Sequence, residues 1–310
     1  MSASRPIDPA FALALLSLEG VGRVTAHKIM ERFPNYDDLL ACPHEQVLLR
    51  IKGTPRADQL VRKLFDVDVL VPAIEHQHAI IRNMDERNIS LLTSGHPSWP
   101  SQLDVLPRSD RPVVLYAFGH PSILAANSVA LFGSEGISAS AFEVAQTLAS
   151  KLIKEGITLC TAARTGFDAV LHRLCADGSH PCIMVAHCGL ARIDHRARAS
   201  VAQAVKAGGV LISSFPMSHG PFDHDDTERA LLQAVLGGPA AFFDPQKHSP
   251  ESTAMQWAIH AKKPVFGLST ETGNTAESLP DHVHVLKRPV DYDWVIAAAL
   301  DSADSADSAR

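Results

Sequence analysis

The chain has 310 residues, 46% of them apolar, enough to bury a sizeable core and to form two domains or more. Its apolar stretches fall short of the roughly 20 residues that cross a bilayer, and Met1-Ser2-Ala3-Ser4-Arg5-Pro6 holds no signal-peptide core, so no membrane association and a cytoplasmic location are expected. Lys/Arg face Asp/Glu 11 to 12 over residues 1–92, 14 to 14 over 93–268 and 3 to 8 over 269–310, so the net charge of −6 sits in the last segment and no segment is basic enough to argue for nucleic acid on charge alone.

In chain order, residues 9–33 hold an apolar helix, the turn Gly20-Val21-Gly22 and a second helix with Ala26 and Ile29 facing inward, the pattern of a helix-hairpin-helix. In one reading the N–H groups at this turn hold a DNA phosphate, with Gly20 and Gly22 at the contact and Arg23 and Lys28 as counter-charges; in the other the hairpin only packs helices. Helical signals over Tyr36–Leu40, Glu45–Lys52, Ala57–Phe65 and Val71–Asn83 complete a small all-helical domain, 1–88. Strands are expected at Ile89–Thr93 and Val113–Gly119, around the loop Gly95-His96-Pro97-Ser98-Trp99-Pro100.

Residues 128–172 are the centre of the pattern. The apolar run Ser128–Phe132 enters the turn Gly133-Ser134, and a helix follows with Ser140 and Glu143 at capping-box spacing and Phe142, Ala145, Leu148, Ala149 and Leu152 along one face. Gly156 closes that helix, and the strand Ile157–Thr161 leads to a second small-residue turn through Thr165-Gly166-Phe167-Asp168. Two strand-to-helix turns of this kind should converge their N–H groups on one crevice at the carboxyl edge of a sheet. Strands at Pro181–Ala186, Val210–Ser213, Ala240–Asp244 and Pro264–Leu268 then alternate with helices at Arg196–Ala207, Thr227–Leu236 and Ser252–Ala261. The fold class is therefore α/β, a largely parallel doubly wound sheet over 89–268. A small extension, 269–300, carries a strand at His282–Leu286 and a helix at Trp294–Leu300, and the Asp-Ser-Ala repeat of 301–310 reads as a disordered acidic tail.

Taken together, the Gly-x-Gly hairpin, Gly95 to Leu103, Pro112 to Gly119, Val129 to Ser134, and Gly166-Phe167-Asp168 with His172 resemble the DNA-processing protein A family, also called Smf, over roughly residues 10–268. The resemblance implies an extended Rossmann-like core that binds single-stranded DNA, helps load a recombinase during uptake of transforming DNA, and dimerises. It also locates the departures. The family's Gly-Ser-Arg is Gly133-Ser134-Glu135 here, and its Ser-Gly-x-Ala-x-Gly-Ile-Asp-x-x-x-His is Thr161 to His172, which keeps Gly166, Asp168 and His172 and gains Arg164. Its Phe-Pro-x-Arg-Asn-Arg is replaced by about Asp226 to Leu231, where Arg229 alone suits a phosphate, and of its Ser-Gly-Ser-x-x-Thr-Ala only Ser249 is clearly kept.

The expected nucleic-acid contacts are therefore Gly133, Ser134, Arg164, Gly166, Asp168, Arg229 and Ser249, with Gly20, Gly22, Arg23 and Lys28 at the hairpin. Asp168 either touches the ligand or caps its helix, and His172 either packs beneath the crevice or serves catalysis. Neither Asp223-His224-Asp225-Asp226 nor Cys182, His187, Cys188 and His195 has metal-site spacing, and the five cysteines lack a C-x-x-C pair, so they read as small buried hydrophobes. No metal and no cofactor is expected. Without a Gly-x-Ser-x-Gly elbow or a Walker loop, nothing points to an enzyme. Three functions stand in order: a single-stranded DNA-binding protein; a small-nucleotide sensor that uses the same crevice with fewer counter-charges; and a phosphoribohydrolase-type enzyme, for which the Pro-Gly-Gly-x-Gly-Thr motif is missing.

Overall fold

The computed structural model describes residues 5–134, 136–270, 279–287 and 290–307, the side chains of 302–307 excepted. It divides into two compact units, Met1–Ala117 and Phe118–Arg310.

The first unit begins with α1 (Pro9–Ser17), whose start is fixed by proline in the first turn and by Asp8, which accepts from the Ala10 N–H at 2.9 Å. Next come α2 (Arg23–Met30), α3 (Tyr36–Leu40), α4 (His44–Arg50), α5 (Ala57–Leu64) and α6 (Val67–Asp85). The helix expected from Val71 thus begins one turn earlier, because Pro72 lies inside α6 and does not open it. β1 (Ile89–Leu92) packs on α6, and most of β2 (Leu115–Gly119) also falls within this unit, so the division lies some thirty residues beyond the expected 88/89 boundary.

The second unit is the doubly wound core. Its elements alternate as β3 (Ser128–Gly133), α7 (Ala139–Lys154), β4 (Thr158–Ala162), α8 (Phe167–Asp177), β5 (Cys182–Val185), α9 (Arg198–Lys206), β6 (Val210–Ser213), α10 (Asp225–Leu236), β7 (Ala240–Phe243), α11 (Pro250–His260) and β8 (Val265–Leu268). A two-residue β9 (His284–Val285) and α12 (Asp291–Asp307) follow. The strand order is β6-β5-β4-β3-β7-β8-β9, and every one of these pairings is parallel. Because its strands are buried on both faces, they read as continuous apolar runs.

Alternation along β3 sorts the two faces. Val129 and Leu131 join a core with α7, α8 and α9, whereas Phe132 stacks on Phe242 with centroids 4.5 Å apart, and Ala130 lies against Gly237 at the end of α10. A side chain at Gly237 would collide with Ala130, its Cβ falling 2.6 Å from the Ala130 backbone nitrogen. The order also reverses at β3: the chain steps outward from β3 to β6, then crosses to β7 on the other side. Ligands of open α/β sheets bind outside the carboxyl ends of strands at such a switch point.

Two local readings change. The N-cap of α7 is Ser138, not Ser140: its Oγ accepts from the Ala141 N–H at 3.2 Å, and its own N–H donates to Asp244, 2.9 Å away and 106 residues along the chain. The helix placed at Trp294–Leu300 runs from Asp291 to Asp307, so the backbone of the repeat is helical through its first two copies. Asp291 and Asp293 in the first turn suit the helix dipole, and the alanines that follow carry the helix on. No described helix is long and apolar enough to cross a membrane.

The end of α10 is held by Lys263, whose Nζ donates to the carbonyls of Ala234 at 2.6 Å and Val235 at 3.0 Å and to that of Gly237. Replacing it with methionine leaves these carbonyls without their donor beneath the strand that carries the switch point. Lys263→Met should therefore cost about 2–3 kcal/mol in urea denaturation at neutral pH.

Candidate nucleic-acid crevice

A crevice of about 1000 Å³ opens at the carboxyl ends of β3 and β4 and extends between α8 and α9. Gly133 and Ser134 form one wall, Thr165 and Gly166 at the start of α8 another, and Phe142, Arg173, Arg196 and Gln203 complete it. Gly166 is the N-cap of α8 with φ +69°, a left-handed value that favours glycine, and no side chain caps this end, so the first N–H groups of the helix remain available. Ser134 is 5% exposed, yet its Oγ has no hydrogen-bond partner among the described residues. A buried hydroxyl left unpaired at a cleft is an unmet demand for a polar ligand atom or water.

Gly133 has a different task. A Cβ there would lie 2.5 Å from the Phe167 ring, so the glycine lets the aromatic of α8 lie flat over the turn. Phe142 meets Phe167 edge-on at 6.1 Å, giving the crevice an apolar wall beside its polar end.

The two arginines expected to meet phosphate are engaged within the protein. Arg164 donates to Asp168 at 3.1 Å, to Asp226 at 3.3 Å, to Glu251 at 2.9 Å and to the Gly133 carbonyl at 3.3 Å. Arg229 is fully buried and donates to Asp226 at 2.8 Å, to Glu251 at 3.1 Å and to Gln233 at 2.7 Å. The expectation that Arg229 contacts nucleic acid is therefore corrected, because carboxylates from α10 and α11 fill its guanidinium and no surface of it is left. Arg164 borders the crevice at 17% side-chain exposure, with most of its donors engaged by these partners. Burial opposes its charge, but Asp168, Glu251 and Asp226 outweigh that and hold its pKa above the ordinary value. Burial likewise pushes the Asp226 carboxyl up, and Arg229 and Arg164 outweigh it and hold the acid ionised.

Asp168 is 2% exposed, lines the inner edge of the crevice and does not cap its helix. One oxygen accepts from the Ala162 N–H at 3.0 Å and the other from Arg164, which braces the β4–α8 turn from below. Ser249 caps α11 by accepting from the Ser252 N–H at 3.0 Å and is not among the residues that line the crevice. His172 is fully buried, 3.0 Å from Thr161 Oγ1 and 3.4 Å from Ser200 Oγ, which places it beneath the crevice. Asp225 holds its own loop together, accepting from the Phe222 N–H at 3.0 Å and lying 2.8 Å from His219 Nε2. Four cysteines are buried as free thiols. Glu135 lies outside the described residues.

At the hairpin, Gly20 adopts φ +86°, the Val21 N–H donates to the Leu18 carbonyl at 3.0 Å, and Gly22 is the N-cap of α2 without a side-chain cap; Arg23 is the first residue of α2 and Lys28 lies in its last turn. The crevice cations that the sequence reading passed over are Arg173 and Arg196. Both are exposed, and neither lies in a recognisable motif. Arg173 lines the cleft from α8 and Arg196 from the residues just before α9, two helices that pack on each other.

Two outcomes follow from this geometry. Arg229→Ala leaves two carboxylates without their buried partner and should lower stability by about 3–5 kcal/mol in chemical denaturation, whatever its effect on binding. Burial lowers the His172 pKa from 6.5 to about 4, against smaller opposing contributions from Asp168 and the Ala162 backbone. The unfolded chain then binds the extra proton between these values, so stability is complete above pH 6.5 and falls as the pH drops toward 4, by about 3 kcal/mol. Urea titrations across that range should show the loss, and His172→Gln should remove most of it.

A profile for DNA recombination-mediator protein A matches residues 90–282. Protein Smf of Escherichia coli (strain K12) is 24% identical over 198 residues, 64% of this chain, and the chain spans 52% of that protein's length. In fold, the chain is similar to DNA processing protein A from Streptococcus pneumoniae, with a TM-score of 0.71 at 15% identity over 94% of this chain and 98% of that one. DNA processing protein A from Helicobacter pylori, studied for its single-stranded DNA binding mode, superposes with a TM-score of 0.58 at 20% identity over 69% of this chain and 96% of that one. The helical first unit, the doubly wound core and the matched profile agree: the chain belongs to the DNA recombination-mediator protein A family.

Proposed function

We propose that this protein binds single-stranded DNA at the crevice between the β3 and β4 turns and delivers it to a recombinase during DNA uptake, acting by binding and not by catalysis. The observation that carries the reading is Ser134 Oγ, buried and without a partner among the described residues at the edge of a cleft that also holds the start of α8, which no side chain caps. A phosphate oxygen there would receive the hydroxyl and the helix N–H groups together. Phe142 on the adjacent wall offers a face to a base. The open turn at Gly20 and Gly22 is a second phosphate contact in this reading, with Arg23 and Lys28 beside it. A homodimer in the cytoplasm is the expected working form.

One observation favours a second reading. The crevice floor sets Asp168, Asp226 and Glu251 against only Arg164 and Arg229, a net negative charge that suits a mononucleotide better than a polyanion.

Fluorescence anisotropy of labelled oligo-dT separates the two. The DNA reading expects micromolar or tighter binding that weakens with salt and falls about tenfold in Ser134→Ala. No binding at low salt, together with thermal stabilisation by a mononucleotide that Ser134→Ala abolishes, would overturn it in favour of the sensor.

A further inference from the structure

The outer end of the crevice is distinct from its phosphate corner. Residues 190–206 carry Arg192, Arg196, Arg198 and Lys206 against a single acid, Asp194, although the core as a whole is neutral. Arg196 and Arg198 stand at the N-terminal end of α9, which has no side-chain cap and no acidic residue in its first turn. Cations at the positive end of a helix are disfavoured by the helix itself, so their grouping there suits an anion from outside. Asp194 offsets part of this charge: it accepts from the Arg196 N–H at 2.9 Å and lies 3.3 Å from its guanidinium and 3.2 Å from His195. Across the cleft, α8 presents Arg173, exposed and without an ion-pair partner among the described residues.

We propose that the α8–α9 groove, through Arg173 and Arg196, is a second phosphate subsite that carries the strand onward from the crevice, so that the preferred ligand is a run of nucleotides. The inference rests on the crevice reading above and extends it. Arg173 lies seven residues along α8 from Gly166, about 10 Å at 1.5 Å per residue. A ligand with successive phosphates along a strand spans this length and engages Ser134 and Arg173 together. Gln203 of α9, which also lines the groove, adds an uncharged donor. This placement also keeps the polymer away from the carboxylates beneath the crevice, since the backbone leaves over α8 and α9 and not over α10.

The test compares labelled dT4 and dT12 at two salt concentrations, for the wild type and the double variant Arg173→Ala/Arg196→Ala. Both residues are exposed, so the melting temperature should not move. The wild type should bind dT12 more tightly and with a steeper salt dependence than dT4. In the double variant dT12 should fall to the dT4 level, and its slope of log K against log salt should shrink by about 1.4, the share of two single-strand phosphates at about 0.7 each. Binding of dT12 that is unchanged in the double variant, while dT4 still binds and still responds to Ser134→Ala, would overturn the groove and leave the crevice standing. Failure of the wild type to bind either oligonucleotide would overturn both.

Discussion

The crevice depends on one buried ion network. Asp226 divides its two oxygens between Arg229 and Arg164, Glu251 joins the same two guanidiniums through one oxygen, and Asp168 ties Arg164 back to the β4 backbone. These five side chains come from the β4–α8 turn, α10 and α11, so the network locks the start of α8 to helices on the opposite face of the sheet. Such a network adds little net stability compared with an apolar core of equal shape, but breaking it is costly, and it therefore fixes geometry. With Arg229 buried and Arg164 largely engaged within the protein, the groups that remain at the crevice are Ser134, the first N–H groups of α8 and the arginines of the outer groove.

The parts of the fold legible in the sequence were those set by local chemistry. β6 runs from Val210 to Ser213, as its apolar run implies, and Gly156 ends α7 in a left-handed turn whose following N–H returns to Leu152. What escaped depends on partners far along the chain. Ser138 and Ser140 both suit a helix start, and only Asp244 decides between them. Arg164 looked like a replacement counter-charge because it falls within the Thr161–His172 segment beside Gly166 and Asp168, whereas its fate is decided by Glu251, 87 residues away. Arg229 kept the residue type of a phosphate ligand, but the helix phase turns it inward toward Gln233. Residue type carried over from a motif says which atoms are available, not where they point.

Charge illustrates the same limit. The core balances 14 basic against 14 acidic residues, which argues against a polyanion if the charges are mixed evenly. They are not mixed. Asp223, Asp225, Asp226 and Glu228 cluster at the start of α10, where the last three suit the helix dipole and Asp226 pairs with the buried arginines, while Arg173, Arg192, Arg196 and Arg198 gather around α8 and α9. The floor of the crevice is thus net negative and its outer rim positive.

The most direct measurement is a crystal structure of the protein with a short oligo-dT bound. A phosphate within hydrogen-bond distance of Ser134 Oγ and the α8 N–H groups is expected, with Arg164 and Arg229 still paired to Asp226 and Glu251. A phosphate held instead by an Arg164 swung free of its carboxylates would contradict the assignment of that network to structure and return the arginine to the binding site.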